Sequence, residues 1–411
     1  MTVTGGSSSL VVPMIMWGRH PPVHCISSIY LLRDQKTLVS GSSDGQVFLW
    51  EVNAQSDKWE MTPRHVLVGH TAPIKCIAKA SGGTDGHHIV TSSENGEMFC
   101  WDTEDGRCIE SKKLSGLIHT HIQAYRSPDA QAGSTGSENS GRQSGVKLFC
   151  CGFYEEITVM DPFSLTVIFQ LSSRINPDWV ASFHVLRPRN RHDDVVLALT
   201  TTGTVKVWTL NGDEHLTTDP ILENESKQIR CINAVSMTCC VYNMRTVLVV
   251  CATYWSIYDA GDFTCLLTVD CARGERWIGG EFISAERVAV WSDDGRAYLY
   301  RMPTNCIVES KDFHNKSKMP STVSSNSLLF CQLVMDQPDG KKGRPPLDCP
   351  PAFRYLIFSK DSKWVKYLIR GDANGRLAVW KIPDTPQCAS MQLKRQETSA
   401  HEQDIGCAGV T

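Results

Sequence analysis

Residues 18–50 of the chain repeat, without a gap, as residues 69–101. Ten aligned positions are identical, among them Gly45 with Gly96 and Trp50 with Trp101. A period of about 20–50 residues is typical of solenoids, propellers and other arrays, in which each unit buries its apolar face against a neighbour. The sequence therefore predicts repeated units that share one continuous core.

The repeated unit consists of short segments with apolar side chains at alternate positions, such as TLVSGSS and QVFLWEV. That period is typical of strands with one buried face. Asp44-Gly45 and Asn95-Gly96 separate two such segments, and these residues tolerate the positive φ of a tight hairpin. Gly69-His70, followed later by Trp101-Asp102, is the Gly-His and Trp-Asp signature of a WD propeller blade, which is a four-stranded antiparallel sheet.

Weaker copies of the unit follow along the chain. Seven segments end on a comparable residue of the third strand: Trp50, Trp101, Met160, Trp208, Tyr258, Tyr300 and Trp380. Polar insertions at 127–145, 309–326 and 336–352 account for the wider spacings, and the first of these is interpreted as a disordered Ser/Gly-rich loop. We therefore predict an all-β fold, a seven-bladed WD-repeat β-propeller with four-stranded antiparallel blades.

The ring of blades must also close. SLLFCQLVM, KYLIRGD and RLAVWKI are predicted to be the inner three strands of blade seven. The apolar segment LVVPMIMW, residues 10–17, is predicted to be its outer strand, because pairing the N-terminal strand with the last three leaves no open edge. The propeller would then span residues 10–383, and 384–411 is interpreted as a polar, disordered tail.

Composition limits the class of protein. The 411 residues include 41 basic and 44 acidic side chains, a net charge of −3, so no overall field favours nucleic acid or an anionic membrane. The 17 cysteines are scattered through predicted strands, which indicates reduced thiols. The N-terminus lacks a basic export signal, and no apolar segment is long enough to span a bilayer. We expect a cytoplasmic protein without direct membrane insertion.

The sequence gives no evidence of a catalytic, phosphate-binding or metal-binding site. There is no Cys-x-x-Cys pair and no phosphate-binding Walker loop, and the Gly-x-Ser-x-Gly match at residues 41–45 lies in a predicted hairpin turn between two strands, not in the strand-to-helix turn of a nucleophile motif. His87-His88 and His119 with His121 are interpreted as strand or loop histidines, because no second cluster has the spacing of a zinc site. The sequence therefore predicts no catalytic residue, no cofactor and no metal, and the protein is not expected to be an enzyme.

Eight residues are predicted to have a structural role, by resemblance to WD propellers. In those proteins the indole N–H of a Trp at the end of the third strand donates to a strand hydroxyl, and that hydroxyl also contacts a loop His. The eight residues are Ser40, Asp44, Trp50, His70, Thr91, Trp101, Trp208 and Trp380. Asn95 occupies the usual Asp position in blade two, and Arg19 occupies the usual His position in blade one.

A partner-binding face is predicted from three other residues. Trp179 and Trp277 each open the first strand of a blade, and Arg19 precedes the first strand of blade one. Trp and Arg are enriched among binding hot spots, so these three are candidates for one partner-binding face. Core packing between blades is the alternative for both tryptophans.

Several segments are more specific than the repeat pattern of a propeller blade requires: LVVPMIMWGR, SSENGEMFCWDTEDGRCIE, INPDWV, YDAGDF and GDANGRLAVW. Over about residues 8–383 they resemble the N-terminal propeller of the beta subunit of rabconnectin-three, a family of WD-repeat proteins. The resemblance implies a larger WD-repeat alpha subunit and subunits of the vacuolar-type proton ATPase as partners. It also implies peripheral association with synaptic or endolysosomal vesicles and a role in their acidification.

Members of that family continue into a second propeller and helical regions, whereas this chain has 411 residues. A short isoform and an incomplete gene model are both compatible with this length. A generic WD-repeat adaptor, such as a substrate receptor of a ubiquitin ligase, is the alternative function. Co-purification separates the two hypotheses, because pump subunits indicate the first and cullin-associated adaptors the second.

Overall fold

The fold is taken from a computed structural model of the chain. The residues that it describes are 26–32, 36–53, 60–80, 87–127, 145–174, 177–188, 192–216, 219–229, 231–271, 274–303, 328–333, 352–360, 363–371, 377–382 and 392–397.

The described strands form seven sheets, one for each blade, and the prediction of an all-β seven-bladed propeller is confirmed. Blade one contains β1 (Ile26–Leu31), β2 (Thr37–Ser42), β3 (Val47–Asn53) and β4 (Glu60–Leu67). Blade two contains β5 (Ile74–Lys79), β6 (His88–Ser93), β7 (Glu97–Asp102) and β8 (Cys108–Lys113). Blade three contains β9 (His119–Arg126), β10 (Val146–Gly152), β11 (Tyr154–Met160) and β12 (Val167–Ser172).

The remaining blades follow in the same order, with two short elements between β15 and β17. Blade four contains β13 (Val180–Leu186), β14 (Asp194–Thr200), β15 (Thr204–Leu210) and β17 (Glu225–Gln228), and the 3-10 helix Glu214–Leu216 and β16 (Ile221–Leu222) come before β17. Blade five contains β18 (Ala234–Cys239), β19 (Thr246–Cys251), β20 (Tyr254–Asp259) and β21 (Cys265–Asp270). Blade six contains β22 (Trp277–Ser284), β23 (Arg287–Ser292), β24 (Ala297–Arg301) and β25 (Leu329–Leu333), and blade seven contains β26 (Ala352–Lys360), β27 (Lys363–Gly371), β28 (Leu377–Ile382) and β29 (Gln392–Glu397).

The core lies between blades. Each of the six main apolar clusters takes its buried side chains from two consecutive blades, beginning with blades one and two and ending with blades six and seven. The first strands of blades one to six also lie side by side in chain order. Because burial of one large apolar side chain contributes about 1.5–3 kcal/mol, packing between neighbouring blades is the main force that holds the ring together.

In blades one to six, where they are described, the tight turns between the second and third strands lie on one face of the ring, here called the turn face. Gly45 has φ of 85°, and a Cβ at this position would lie 2.6 Å from the carbonyl oxygen of His70. Gly is favoured at position 45 for two reasons. The backbone is left-handed there, and the backbone of the connection between blades one and two comes too close to leave room for a side chain. In blade three, the N–H of Phe153 donates to the carbonyl of Ile118 at 2.9 Å, so the turn is bound to the connection that opens its own blade.

Blade seven differs from the prediction. Its fourth strand is β29, which pairs antiparallel with β28 through residues such as Trp380 and Leu393. The assignment of residues 10–17 to this position is therefore wrong, and those residues lie outside the described part of the chain. The strand Gln392–Glu397 lies within 384–411, so the propeller extends beyond residue 383 and this part of the tail is ordered into a sheet.

The inner strands of blade seven are also corrected. Leu329–Leu333, within SLLFCQLVM, is the outer strand of blade six, where it pairs with β24. The innermost strand of blade seven is Ala352–Lys360, which begins at the last residue of the predicted insertion 336–352. Most of the three predicted insertions lies outside the described residues.

Candidate functional site

The tryptophan of blade two is held by a buried hydrogen-bonded chain. Trp101 Nε1 donates to Thr91 Oγ1 at 2.8 Å, and His70 Nε2 lies 2.7 Å from the same hydroxyl. Burial lowers the pKa of His70 to about 4, against a smaller opposing effect of Glu97, so the imidazole is neutral at pH 7. Asn95 donates to Thr71 Oγ1 at 2.9 Å. These contacts join the connection before the blade to its second and third strands.

Blade one repeats part of this arrangement. Trp50 Nε1 donates to Ser40 Oγ at 2.8 Å. The carboxylate of Asp44 accepts hydrogen bonds from Ser42 Oγ and from the N–H of Gln46, and so holds the hairpin turn. Arg19, at the predicted His position, lies outside the described residues. These positions stabilise the blade and present no reactive group.

Trp208 and Trp380 are buried, but their surroundings differ from those of Trp50. By register, Ala198 and Arg370 stand where Ser40 stands in blade one. Because Ala198 has no hydroxyl, Trp208 Nε1 donates instead to the carbonyl of Ser172 in blade three at 3.0 Å. Trp380 packs in the core between blades six and seven.

Trp277 is not on a binding surface. It is only 3% exposed and lies in the core between blades five and six, where its ring meets the edge of Tyr298 at a centroid distance of 5.3 Å. Its backbone N–H donates to the carbonyl of Ala252 at 2.8 Å. The assignment of Trp277 to a partner-binding face is therefore wrong, and the alternative of core packing describes its position.

Trp179, in contrast, is 49% exposed on the turn face. Phe153, from the turn of blade three, is 52% exposed, and the two ring centroids lie 5.8 Å apart at an interplanar angle of 57°. We call these two residues the aromatic pair. Phe153 is not among the residues predicted from the sequence. A large apolar residue directly after Gly152, at the position of a hairpin turn, is the signal that could have identified it.

The backbone beneath the aromatic pair is fixed on several sides. The N–H of Trp179 donates to Asp178 Oδ1 at 2.7 Å, and its carbonyl accepts from the N–H of Thr201 at 2.9 Å. Trp179 also forms an antiparallel β-bridge with Glu155 of blade three. An exposed indole on a fixed backbone loses little conformational freedom when a partner binds it.

The carboxylate of Asp178 organises the same region. It accepts hydrogen bonds from the hydroxyl of Thr202 at 2.7 Å and from the hydroxyl of Thr201 at 3.2 Å. Partial burial alone would raise the pKa of Asp178. The hydrogen bonds from Thr202 and from the backbone of Trp179 outweigh that effect and lower the pKa, so the group is an anion at neutral pH.

The described residues were also compared with the requirements of a metal site and of a membrane-spanning helix. They contain no group of three or more His, Cys, Asp or Glu side chains arranged to hold a metal ion. Within the same part of the chain, no helix has the length and hydropathy needed to cross a membrane.

The fold and the Trp101–Thr91–His70 contacts define the class, and the chain is a WD-repeat β-propeller protein. The family model described as "WD domain, G-beta repeat" matches residues 16–51 and 61–102. The crystal structure of the C-terminal WD40 domain of Sif2 aligns over 98% of this chain and 93% of that one, with a TM-score of 0.55. At 13% identity this likeness concerns the fold alone.

The chain is similar to curated proteins named WD repeat-containing protein 72. The protein from Homo sapiens is 30% identical over 374 residues, which cover 90% of this chain and 32% of that protein. The protein from Mus musculus is 30% identical over 385 residues, with the same coverage of 90% and 32%. The chain therefore spans about a third of the length of these relatives.

Proposed function

We propose that this chain is a non-enzymatic WD-repeat scaffold that binds a protein partner through the aromatic pair Phe153 and Trp179. The observation that carries this proposal is the exposure of both rings on a backbone that hydrogen bonds hold in place. Exposed tryptophans on a rigid support are typical of binding hot spots, and truncation of a hot spot costs about 2 kcal/mol or more of binding free energy.

The biological setting that we propose is assembly and regulation of the vacuolar-type proton ATPase, and through it the acidification of vesicles. Its support is the resemblance of SSENGEMFCWDTEDGRCIE, INPDWV and YDAGDF to the rabconnectin beta subunit. INPDWV contains Trp179 itself, so the segment that carries the resemblance also carries the exposed ring. The proposed partners are the larger WD-repeat alpha subunit and subunits of the pump, which the protein would meet in the cytoplasm at vesicle membranes.

Quantitative capture of partners by the full chain tests the proposal. Tagged wild-type protein, Trp179→Ala and a control variant are incubated with detergent extracts of vesicles, and bound proteins are measured by mass spectrometry. Phe330→Ala is a matched control, because Phe330 is 40% exposed on β25 and lies in a different blade from the aromatic pair. A loss of about 2 kcal/mol corresponds to roughly thirty-fold weaker binding.

We expect wild type and Phe330→Ala to capture the alpha subunit and pump subunits, and Trp179→Ala to capture far less at an equal amount of folded protein. Equal capture by Trp179→Ala would exclude the aromatic pair as the binding surface. Capture of cullin-associated adaptors without pump subunits would favour the ubiquitin-ligase alternative instead.

A further inference from the structure

We infer that the aromatic pair receives a basic side chain, Arg or Lys, from the partner, with Glu155 as its counter-ion. This inference rests on the proposed function, since it names the chemistry of the partner at the same surface. Three observations carry it: the placement of Glu155 beside both rings, the ionised carboxylate of Asp178 directly before Trp179, and the burial of the nearby Lys206.

The position of Glu155 follows from its β-bridge to Trp179. Directly opposed residues of an antiparallel bridge have Cβ atoms about 4.5–5.5 Å apart and side chains on the same side. The bridge between Glu155 and Trp179 therefore sets these two side chains next to each other. The ring of Phe153, from the adjacent turn, lies on that side too, because its centroid is 5.8 Å from that of Trp179. An exposed carboxylate thus lies beside the aromatic pair.

Two carboxylates lie next to the aromatic pair, those of Glu155 and Asp178. Glu155 is exposed, and the lowered pKa of Asp178 keeps a second negative charge directly before Trp179. Lys206 does not compensate them, because its side chain is only 2% exposed and bound to Glu156. Arg174 lies in the described part of the connection that leads to Trp179, where its backbone N–H donates to Glu223 Oε2 at 2.8 Å and its side chain is exposed.

Apolar and basic side chains of a partner differ in the energy of binding to this surface. An apolar side chain could cover both rings, but it would also remove water from Glu155 without supplying a charge, and burial of an unpaired ion is costly. A guanidinium or ammonium group resolves this conflict. It can lie over the indole face, where the ring attracts a cation, while it donates hydrogen bonds to the carboxylate. The surface therefore favours a basic residue flanked by apolar ones.

Fluorine NMR of the full chain labelled with 5-fluorotryptophan provides the test. The chain has 11 tryptophans, and the signal of Trp179 is identified by its loss in Trp179→Phe. The probes are two blocked peptides, Ala-Leu-Arg-Leu-Ala and the same peptide with neutral citrulline in place of Arg. The other signals report whether each variant is folded.

We expect the Arg peptide to shift the Trp179 signal, and the citrulline peptide to bind at least about tenfold more weakly. Glu155→Gln should reduce binding of the Arg peptide to the level of the citrulline peptide. Glu110→Gln, which alters an exposed carboxylate on β8 of blade two, should have no effect. Equal binding of the two peptides, or no shift of the Trp179 signal by either, would overturn the inference.

Partner capture separates this inference from the proposed function. If both Trp179→Ala and Glu155→Gln lose the partner, the two proposals stand together. If Trp179→Ala loses the partner and Glu155→Gln retains it fully, the basic side chain is excluded while the binding surface stands. If both variants retain it, the proposed function itself fails.

Discussion

Glu156 and Lys206 form an ion pair across the boundary between blades three and four, with Oε1 and Nζ 2.5 Å apart and each side chain only 2% exposed. The same carboxylate oxygen accepts the N–H of Asp178 at 3.1 Å, directly before Trp179. Glu156 has φ of 62°, a left-handed conformation that is unfavourable for a residue with a side chain. This pair therefore supports the backbone from which the indole of Trp179 projects.

Lys206→Met should be strongly destabilising. It leaves the carboxylate of Glu156 buried without its counter-ion, and removal of one partner of a buried pair typically costs about 3–5 kcal/mol. Burial already raises the pKa of Glu156 despite the opposing effect of Lys206, so without the lysine the acid should take up a proton. The free energy of unfolding, measured by urea denaturation, checks this expectation.

The control for the buried pair is an exposed one. Arg301 and Glu286 lie 3.8 Å apart with side chains 65% and 52% exposed, so Arg301→Met should change the free energy of unfolding by less than about 1 kcal/mol. The double variant Glu156→Gln, Lys206→Met should cost less than the sum of the two single changes. A loss for Lys206→Met as small as that for Arg301→Met would contradict the assigned role.

Trp277→Ala and Trp179→Ala should have opposite effects on stability and on binding. Trp277 fills the core between blades five and six, so its truncation should cost about 3–5 kcal/mol of unfolding free energy. Trp179 is half exposed, and its truncation should lower the melting temperature by no more than a few degrees. Melting temperature and partner capture are measured on the same preparations, and a steep fall in melting for Trp179→Ala would mean that its ring is a structural support.

Removal of residues 392–411 should destabilise blade seven. Without β29, the strand Leu377–Ile382 loses its outer partner and exposes unpaired N–H and C=O groups, which promote wrong pairing and aggregation. Removal of residues 398–411 alone is the matched control, because it leaves the Gln392–Glu397 strand intact. We expect a lower melting temperature and aggregation on heating for the longer deletion only, and an identical melting temperature for both would exclude β29 as a structural strand.

His70→Gln should make stability less dependent on pH. The unfolded chain binds a proton at His70 below its ordinary pKa of 6.5, whereas the folded chain does so only near pH 4. Acidification from 6.5 towards 4 therefore favours the unfolded state, by up to about 1.4 kcal/mol per pH unit for this group. The variant loses the hydrogen bond to Thr91, but its free energy of unfolding should fall less steeply over this range.

Comparison with wild type is essential in this experiment, because Glu281 acts with the opposite sign. Burial raises the pKa of Glu281 to about 7 against smaller effects of the Phe282 backbone and Arg354, so protonation of this group stabilises the fold as pH falls. Urea denaturation at several pH values gives the slope of unfolding free energy against pH for His70→Gln and for wild type. Parallel curves for His70→Gln and wild type would show that His70 is not the titrating group.

Blade number could be predicted from sequence because each third strand ends on a large residue after an alternating apolar segment. The outer strand of blade seven could not, because QLKRQE has a single apolar residue and hence no alternating pattern. LVVPMIMW has a stronger apolar pattern, although a pattern of this kind predicts a strand without identifying its neighbour.

The site could be predicted only in part. Trp179 directly precedes the first strand of its blade, and Trp277 is the first residue of the corresponding strand in its own blade. The two positions are similar in sequence, but the ring beside Trp179 is the exposed Phe153, whereas the ring beside Trp277 is Tyr298 in the core. The ion pair of Glu156 and Lys206 could not be found at all, since both residue types are normally exposed and a positive φ leaves no mark on the sequence.

The short strand Ile221–Leu222 follows β15 of blade four, yet it pairs parallel with β12 of blade three. Blade three is thereby extended to five strands by chain from its neighbour, and Ser173 Oγ adds a hydrogen bond to Glu223 at 3.1 Å. Backbone amides exchange with solvent in cooperative units that open together. Blades three and four should accordingly form one such unit, in which amides on either side of the boundary become accessible at the same denaturant concentration.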